Sequence, residues 1–243
     1  MNFYALIIGT EILNGRREDK HFSFLKNELA KYNHELFATF IIKDDKELIQ
    51  NSFELIKKDK QSVLFSFGGI GSTPDDLTRE IAAKVFTNQG VVRHKQFEQD
   101  IIDRFQEEAY PHRIHMADIP KGASLIHNPI NNMSGFSLED RFFFLPGFPQ
   151  MAHPMVQNII QKYFSTKKEK FRSSFIANTS EAKLIDIMNK IPPSIELSSL
   201  PMIEDGKISV EISLSGENKN EIKKAMELFY QELQKQNISF EKK

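Results

Sequence analysis

The residues with the clearest capacity for chemistry stand nine in a row: Gly68-Gly69-Ile70-Gly71-Ser72-Thr73-Pro74-Asp75-Asp76. Glycines at 68, 69 and 71 let main-chain N–H groups approach phosphate oxygens with no Cβ in the way. Ser72 and Thr73 add hydroxyl donors, and a helix following the loop would turn its partial positive end toward the same anion. Asp75 and Asp76 would repel a bare phosphate, so their presence suggests a divalent cation between carboxylate and phosphate. The plainer reading is a turn whose aspartates cap a helix, as Asp does at any helix start. Glycine, hydroxyl and carboxylate together, directly after an apolar run, favour the ligand site. The loop is not a Walker loop, since Gly-Lys-Ser/Thr is absent, and it is not a Gly-x-Gly-x-x-Gly dinucleotide fingerprint. A second candidate, Gly9-Thr10-Glu11-Ile12-Leu13, follows the first apolar run.

Both loops need a scaffold that brings them to one edge. Phe3–Ile8, Glu35–Ile42 and Ser62–Phe67 read as strands. Between them, Phe22, Leu25, Leu29 and Tyr32 recur at helical spacing, as do Ile49, Phe53 and Ile56 after a cap at Asp44 or Asp45. Helices are expected over 76–86 and 95–107, strands at 124–127, 135–138 and 142–145, and a helix carrying Val156, Ile159, Ile160 and Tyr163. Such alternation predicts an α/β domain over 1–164, a mostly parallel sheet with helices on both faces. Ligands in that architecture bind outside the carboxyl ends of the strands, where both loops fall.

The polar run 165–170 reads as a linker. Beyond it, 171–243 predicts a small α+β domain in βαββα(β) order, KH-like or split-βαβ, with Leu184, Ile187, Met188 and Ile191 on one helix. A turn at Glu204-Asp205-Gly206 precedes the alternating Ile208, Val210, Ile212 and Leu214. Its acidic and basic residues are near balance. Gly206 and Gly216 cannot form the Gly-x-x-Gly clamp of RNA-binding KH domains, so nucleic acid is not expected as a partner.

Of the 243 residues 40% are hydrophobic and 27% charged, with a formal net charge of −1. That gives no electrostatic case for nucleic acid or a membrane surface. With no cysteine, thiol nucleophiles, zinc-thiolate sites and disulfides are excluded, which fits a cytoplasmic setting. The apolar start is short and lacks a basic leader, so it reads as a strand and neither a signal peptide nor a membrane span. His112 and His115, three apart, could share one face of a turn, but no third ligand is in sequence reach, so they read as surface or loop histidines.

Residues 68–80, Gly-Gly-Ile-Gly-Ser-Thr-Pro-Asp-Asp-Leu-Thr-Arg-Glu, resemble the signature of the molybdopterin-binding superfamily, the group that includes MoaB- and Mog-like proteins. The adjacent Asp75-Asp76 is closer to the CinA (competence/damage-inducible protein A) branch than to the molybdenum-cofactor adenylyltransferases. Gly9-Thr10-Glu11-Ile12-Leu13-x-Gly15 matches that branch's opening motif. Asn128-Pro129, Gly135-Phe136 and Leu145-Pro146-Gly147-Phe148-Pro149 match its later landmarks in order. The same set is similar to the N-terminal domain of eukaryotic FAD synthases. The resemblance covers about residues 3–164, and the segment after 165 resembles the KH-type middle domain of CinA proteins. The family's deamidase domain has no counterpart here, so that activity is not carried over.

The resemblance implies metal-dependent hydrolysis of a nucleotide pyrophosphate such as ADP-ribose or FAD, with Mg, Mn or Co as the cation. It makes Asp76 the leading metal-binding or catalytic carboxylate, with Asp75 beside it. Gly68, Gly69, Gly71, Ser72, Thr73 and Thr78 would hold phosphate. Gly9, Thr10 and Glu11 would line the same edge, and Pro146-Gly147 would close the pocket opposite. The partner would be a small-molecule nucleotide or a phosphorylated pterin, and a homo-oligomer, with a dimer favoured, is expected. Three departures bear on catalysis: His21 stands where Asn is usual, Asn131 (with Asn132 and Ser134) replaces a Gly-Thr-x-Pro run, and Met151 stands where the family often has Glu. They keep open a binding protein that has lost catalysis. Adenylyl transfer to molybdopterin is a third reading, weakened by Asp75 in place of Arg.

Overall fold

The computed structural model describes residues 1–166, 169–204 and 206–243. It divides into two compact units, Met1–Lys167 and Lys168–Lys243. Lys167 and Lys168 of the expected linker, and Asp205 of the expected turn, lie outside the described residues.

In the first unit, β1 (Asn2–Ile8) is followed by the single turn α1 (Thr10–Leu13), α2 (His21–Ala30), β2 (Leu36–Ile42), α3 (Lys46–Lys58) and β3 (Ser62–Phe67). Next come α4 (Thr78–Ala82), a π turn at Ala83–Thr87, β4 (Val91–Arg93), α5 (Lys95–Phe105) and β5 (Asp118–Pro120). The unit closes with β6 (Ser124–Ile126), β7 (Gly135–Leu138), β8 (Phe142–Leu145) and α6 (Pro149–Tyr163). The main sheet runs β2-β1-β3-β8-β7-β6. Its first three pairings are parallel and the last two antiparallel, so this is a mostly parallel sheet with an antiparallel edge.

Both faces of that sheet are covered, which is why its strands read as unbroken apolar runs. Tyr4, Leu6 and Ile8 face Ile49, Phe53 and Ile56 of α3. Phe3, Ala5 and Ile7 face Leu25 and Leu29 of α2 and Val156 and Ile160 of α6. Each fully buried side chain of this size contributes about 1.5–3 kcal/mol relative to exposure. In β8, Phe142 and Phe144 face one cluster while Phe143 and Leu145 face the other. Arg141 enters that strand with its guanidinium 4.3 Å from the Phe142 ring centroid and its Nη1 donating to the carbonyls of Lys60 and Ser62.

Register decides where the loops emerge. Ile8 pairs with Ile42, Ile7 with Phe67, and Phe67 with Leu145. Four strands therefore end level, and the segments after them rise from one edge.

Helix starts show where side chains choose between fold and loop. Asp45 caps α3, accepting from Glu47 N at 3.0 Å and Leu48 N at 2.9 Å. Asp44 turns to Thr10 instead. The helix expected from about Asp76 begins two residues later, at Thr78, because the Asp76 carboxylate is taken by Thr73. The ribbon of β4 and β5 was not expected, since three-residue strands are too short to show a period. Arg93 ties it to Asp118 and reaches Glu98.

The second unit contains β9 (Phe171–Ala177), α7 (Ile185–Met188), β10 (Glu196–Glu204), β11 (Lys207–Gly216), α8 (Lys219–Lys235) and β12 (Phe240–Lys242). Its sheet, ordered β10-β11-β9-β12, is antiparallel throughout. Ile222, Ala225, Met226, Phe229 and Leu233 of α8 pack with Phe175, Val210, Ile212 and Leu214. Helix α7 is shorter than the expected run to Ile191, as Pro192-Pro193 would require of the residues before them. β10 continues past Leu200 through Pro201, which an edge strand tolerates.

Candidate active site

A cleft of about 610 Å³ opens at the level strand ends of the first unit. Ile8, Gly68 and Pro146, at or just after the ends of β1, β3 and β8, line its floor. Of the residues singled out by sequence, Glu11, Gly68, Gly69, Gly71, Ser72, Thr73, Asp75, Asp76, Pro146 and Gly147 line it together. Gly9, Thr10 and Thr78 do not.

Gly68 has φ +99°, and a Cβ there would run into the Ile8 carbonyl oxygen, so only glycine fits at this crossing. Gly147 meets it from the other side: a Cβ on Gly147 would come 3.4 Å from Gly68 Cα. The loops after β3 and β8 are therefore in contact at their roots.

Hydrogen bonds divide the loop into parts that hold it and parts left open. Gly68 N donates to Leu145 O at 3.0 Å, and Thr78 N donates to Gly69 O at 3.0 Å. Asp76 Oδ2 accepts from Thr73 N at 2.8 Å and Thr73 Oγ1 at 2.6 Å. Arg79 is buried, and its Nη1 donates to Gly71 O. Burial pulls its guanidinium below the ordinary arginine range, against the opposing pull of Asp76. What remains is a run of four main-chain N–H groups, Gly69 to Ser72, with no acceptor among the described residues. Consecutive free N–H groups in a loop form a concave anion seat. The Ser72 hydroxyl is also without a bond among the described residues, and so is Asp76 Oδ1.

Two expectations are corrected by these contacts, and a third is narrowed. Thr78 is fully buried, and its Oγ1 donates to Gly68 O at 3.0 Å, so it shapes the loop and is not a phosphate ligand. Thr10 is held by Asp44, whose Oδ2 accepts from Thr10 N at 2.7 Å and Thr10 Oγ1 at 2.9 Å. Thr73 lines the cleft, but its hydroxyl is engaged by Asp76.

Arg17, Arg104, Arg113 and Phe105 line the cleft without having been picked out by sequence, and Phe148 and Asp44 line it without having been given a place in the site. Asp44 was visible only as a possible cap. The arginines come from segments with no motif of their own. Arg17 Nη1 pairs with Glu11 Oε1 at 3.4 Å, and its guanidinium lies 5.3 Å from the Phe148 ring centroid.

The three departures separate. His21 is 3% exposed and lies behind the wall, its Nε2 bonded to Gly147 O at 3.2 Å and its ring stacked on Phe67 at 4.2 Å. It supports the roots of both loops and takes no ligand position in the cleft. Burial lowers its pKa, and His153 beside it is lowered to about 4, mainly by burial. Asn131 and Met151 do line the cleft, and they touch, Asn131 Nδ2 donating to Met151 Sδ at 3.4 Å. His115 pairs with Asp118 at 2.8 Å, so it does not form a metal pair with His112. Among the described residues no three His, Asp or Glu converge as a metal cage. Asp76 Oδ1 and the unpaired N–H groups of Gly69 to Ser72 are the groups on this loop left open to a ligand or ion.

A family model described as "Probable molybdopterin binding domain" matches residues 4–166. A relative from Archaeoglobus fulgidus, named only as a protein, is 26% identical over 232 residues, covering 94% of this chain and 96% of its own length. One from Clostridium perfringens, named as a competence-damage inducible protein, is 27% identical over 245 residues; the match takes in 97% of this chain but 59% of that relative. A crystal structure of a Thermoplasma acidophilum protein titled CinA, of unknown function, aligns with TM-score 0.60 and 27% identity. That alignment covers 66% of this chain and 96% of that one. No described helix is long and apolar enough to cross a membrane.

Proposed function

This chain belongs to the molybdopterin-binding domain family, and from that premise we propose that its cleft binds a nucleotide pyrophosphate of ADP-ribose or FAD type and hydrolyses it. The observation supporting this best is the run of four unpaired N–H groups from Gly69 to Ser72 beside the free oxygen of Asp76. The N–H groups and the Ser72 hydroxyl bind one phosphate of the pair. Asp76, with Asp75 beside it, would hold a cation of the Mg, Mn or Co type, and such an ion would neutralise the charge of the pyrophosphate. Gly147, packed on Gly68 and held from behind by His21, fixes the facing wall so that the phosphate sits in one place. Met116, Met133 and Met151 offer an apolar wall to the rest of the ligand. A water oxygen then bonds to one phosphorus while the bridging oxygen leaves with the other phosphate, the protons of the water passing to solvent, and two monophosphates result.

Product release from ADP-ribose, from FAD, and from molybdopterin with ATP, each with several divalent metals, tests this. AMP release that requires the metal is expected from one of the first two. No product under any condition ends the hydrolytic reading, and adenylylated molybdopterin would assign the chain to adenylyl transfer. A binding protein without turnover is the second reading, favoured by the neutral Met151 in the cleft wall. Tight binding without release would select it.

A further inference from the structure

The cleft's charges are sorted by the element they come from. Its carboxylates stand on the segments after β1, β2 and β3, as Glu11, Asp44, Asp75 and Asp76. Two of its arginines come from elsewhere, Arg104 from the last turn of α5 and Arg113 from the 3₁₀ turn Arg113–Ala117. Both gather on one ring: the Arg104 guanidinium lies 5.4 Å from the Phe105 centroid and that of Arg113 4.6 Å. Two cations on one phenyl ring repel one another unless anions lie nearby. Arg113 has one, donating to Glu108 Oε2 at 2.5 Å and to Glu108 O at 3.1 Å. Arg104 pairs with no carboxylate among the described residues. Among the described residues it donates to a main-chain carbonyl, Asn131 O, at 3.3 Å. A charged fork is thus held on an aromatic face at the wall of a cleft, with donors left over, and guanidinium donors match phosphate oxygens.

We infer that Arg104, seated on Phe105 beside Arg113, is a specificity-determining residue that takes the second anionic group of a two-phosphate ligand. The inference rests on the reading of Gly69–Ser72 as the seat of the first phosphate. Loop and arginine together make this a site for a nucleoside diphosphate rather than a nucleoside monophosphate. Asn131 connects Arg104 to Met151, so a negative charge at 151 would stand close to the same anion.

Calorimetric titration of the whole chain with ADP and with AMP, in excess magnesium, tests this in wild type, Arg104→Ala, Arg104→Lys and Met151→Glu. Wild type is expected to prefer ADP, and Arg104→Ala to lower that preference roughly tenfold or more, the scale of a hydrogen bond to a charged group. AMP affinity should be unchanged. Arg104→Lys should restore part of the preference, since it keeps the charge and loses the fork, and Met151→Glu should weaken ADP more than AMP. Arg104 is exposed on the helix surface, so an unchanged melting temperature serves as the folding control. An ADP-to-AMP ratio that is the same in wild type and Arg104→Ala overturns the inference while leaving the phosphate loop intact. Binding of neither nucleotide overturns both readings.

Discussion

Helices α4 and α8 both follow a strand and a glycine, and they begin in opposite ways. At α8, Asn218 Oδ1 accepts from Asn220 N at 3.0 Å and Glu221 N at 3.3 Å, closing the helix start from within. At α4 no side chain caps the helix, and the nearest carboxylate, Asp76, bonds back to Thr73 instead. The loop before it is left with N–H groups turned outward. Unpaired main-chain donors are unfavourable unless water or a ligand satisfies them. In this pair the start of α8 is closed by its own side chain, while the loop before α4 keeps donors for water or a ligand.

The largest effect expected from this contrast is Asp76→Asn. An amide oxygen can still accept from Thr73, so melting should be nearly unchanged, while turnover should fall by about two orders of magnitude, the scale of a key electrostatic group. Equal rates with unaltered metal dependence would remove Asp76 from the site. Gly68→Ala should do both kinds of damage. The left-handed backbone and the approach to Ile8 O place the loss at about 1–3 kcal/mol, and nucleotide binding should vanish with it. A variant that binds normally would show that the loop tolerates rearrangement.

Asn218→Ala sharpens the other side. Loss of a cap amounts to about 1 kcal/mol, visible in denaturant melts, and ADP affinity should not move. Weaker ADP binding in that variant would contradict the division between a closed segment and an open one. The smallest effect concerns acid. His153 is lowered from 6.5 to about 4 in the fold, so the folded chain takes up its proton less readily than the unfolded chain. Its contribution to stability is full above pH 6.5 and is lost as pH falls toward 4. His153→Phe keeps a ring against Phe24 and should flatten that decline, with His21 still contributing. Melting curves across this range that show the same slope as wild type would move the acid sensitivity elsewhere.

These contrasts also mark what a sequence can reveal. β1 and β3 were legible as short, nearly unbroken apolar runs in Phe3–Ile8 and Ser62–Phe67, and α3 from the helical spacing of Ile49, Phe53 and Ile56. The nine-residue loop was legible because its glycines are required by contacts at its own root. Residue type alone could not say which way a hydroxyl points, so Thr78 was read as a ligand although it bonds to Gly68 O. It also could not show Arg104 and Arg113, which stand far along the chain and reach the cleft only through α5 and its following turns. His21 was visible only as a departure from the family's Asn, because only three dimensions put it behind Gly147.

Strand β8 has a consequence outside the cleft. Phe142-Phe143-Phe144-Leu145 is apolar, uncharged and rich in strand-forming residues, and with its edges uncovered it could pair with another chain. It is bounded by Arg141 on one side and Pro146 on the other, a charge and a ring that oppose edge-to-edge growth. While the chain is unfolded, before Ser62–Phe67 and Gly135–Leu138 cover its edges, those two residues are its protection against aggregation. Replacing Arg141 should therefore lower refolding yield at high protein concentration more than it lowers the melting temperature.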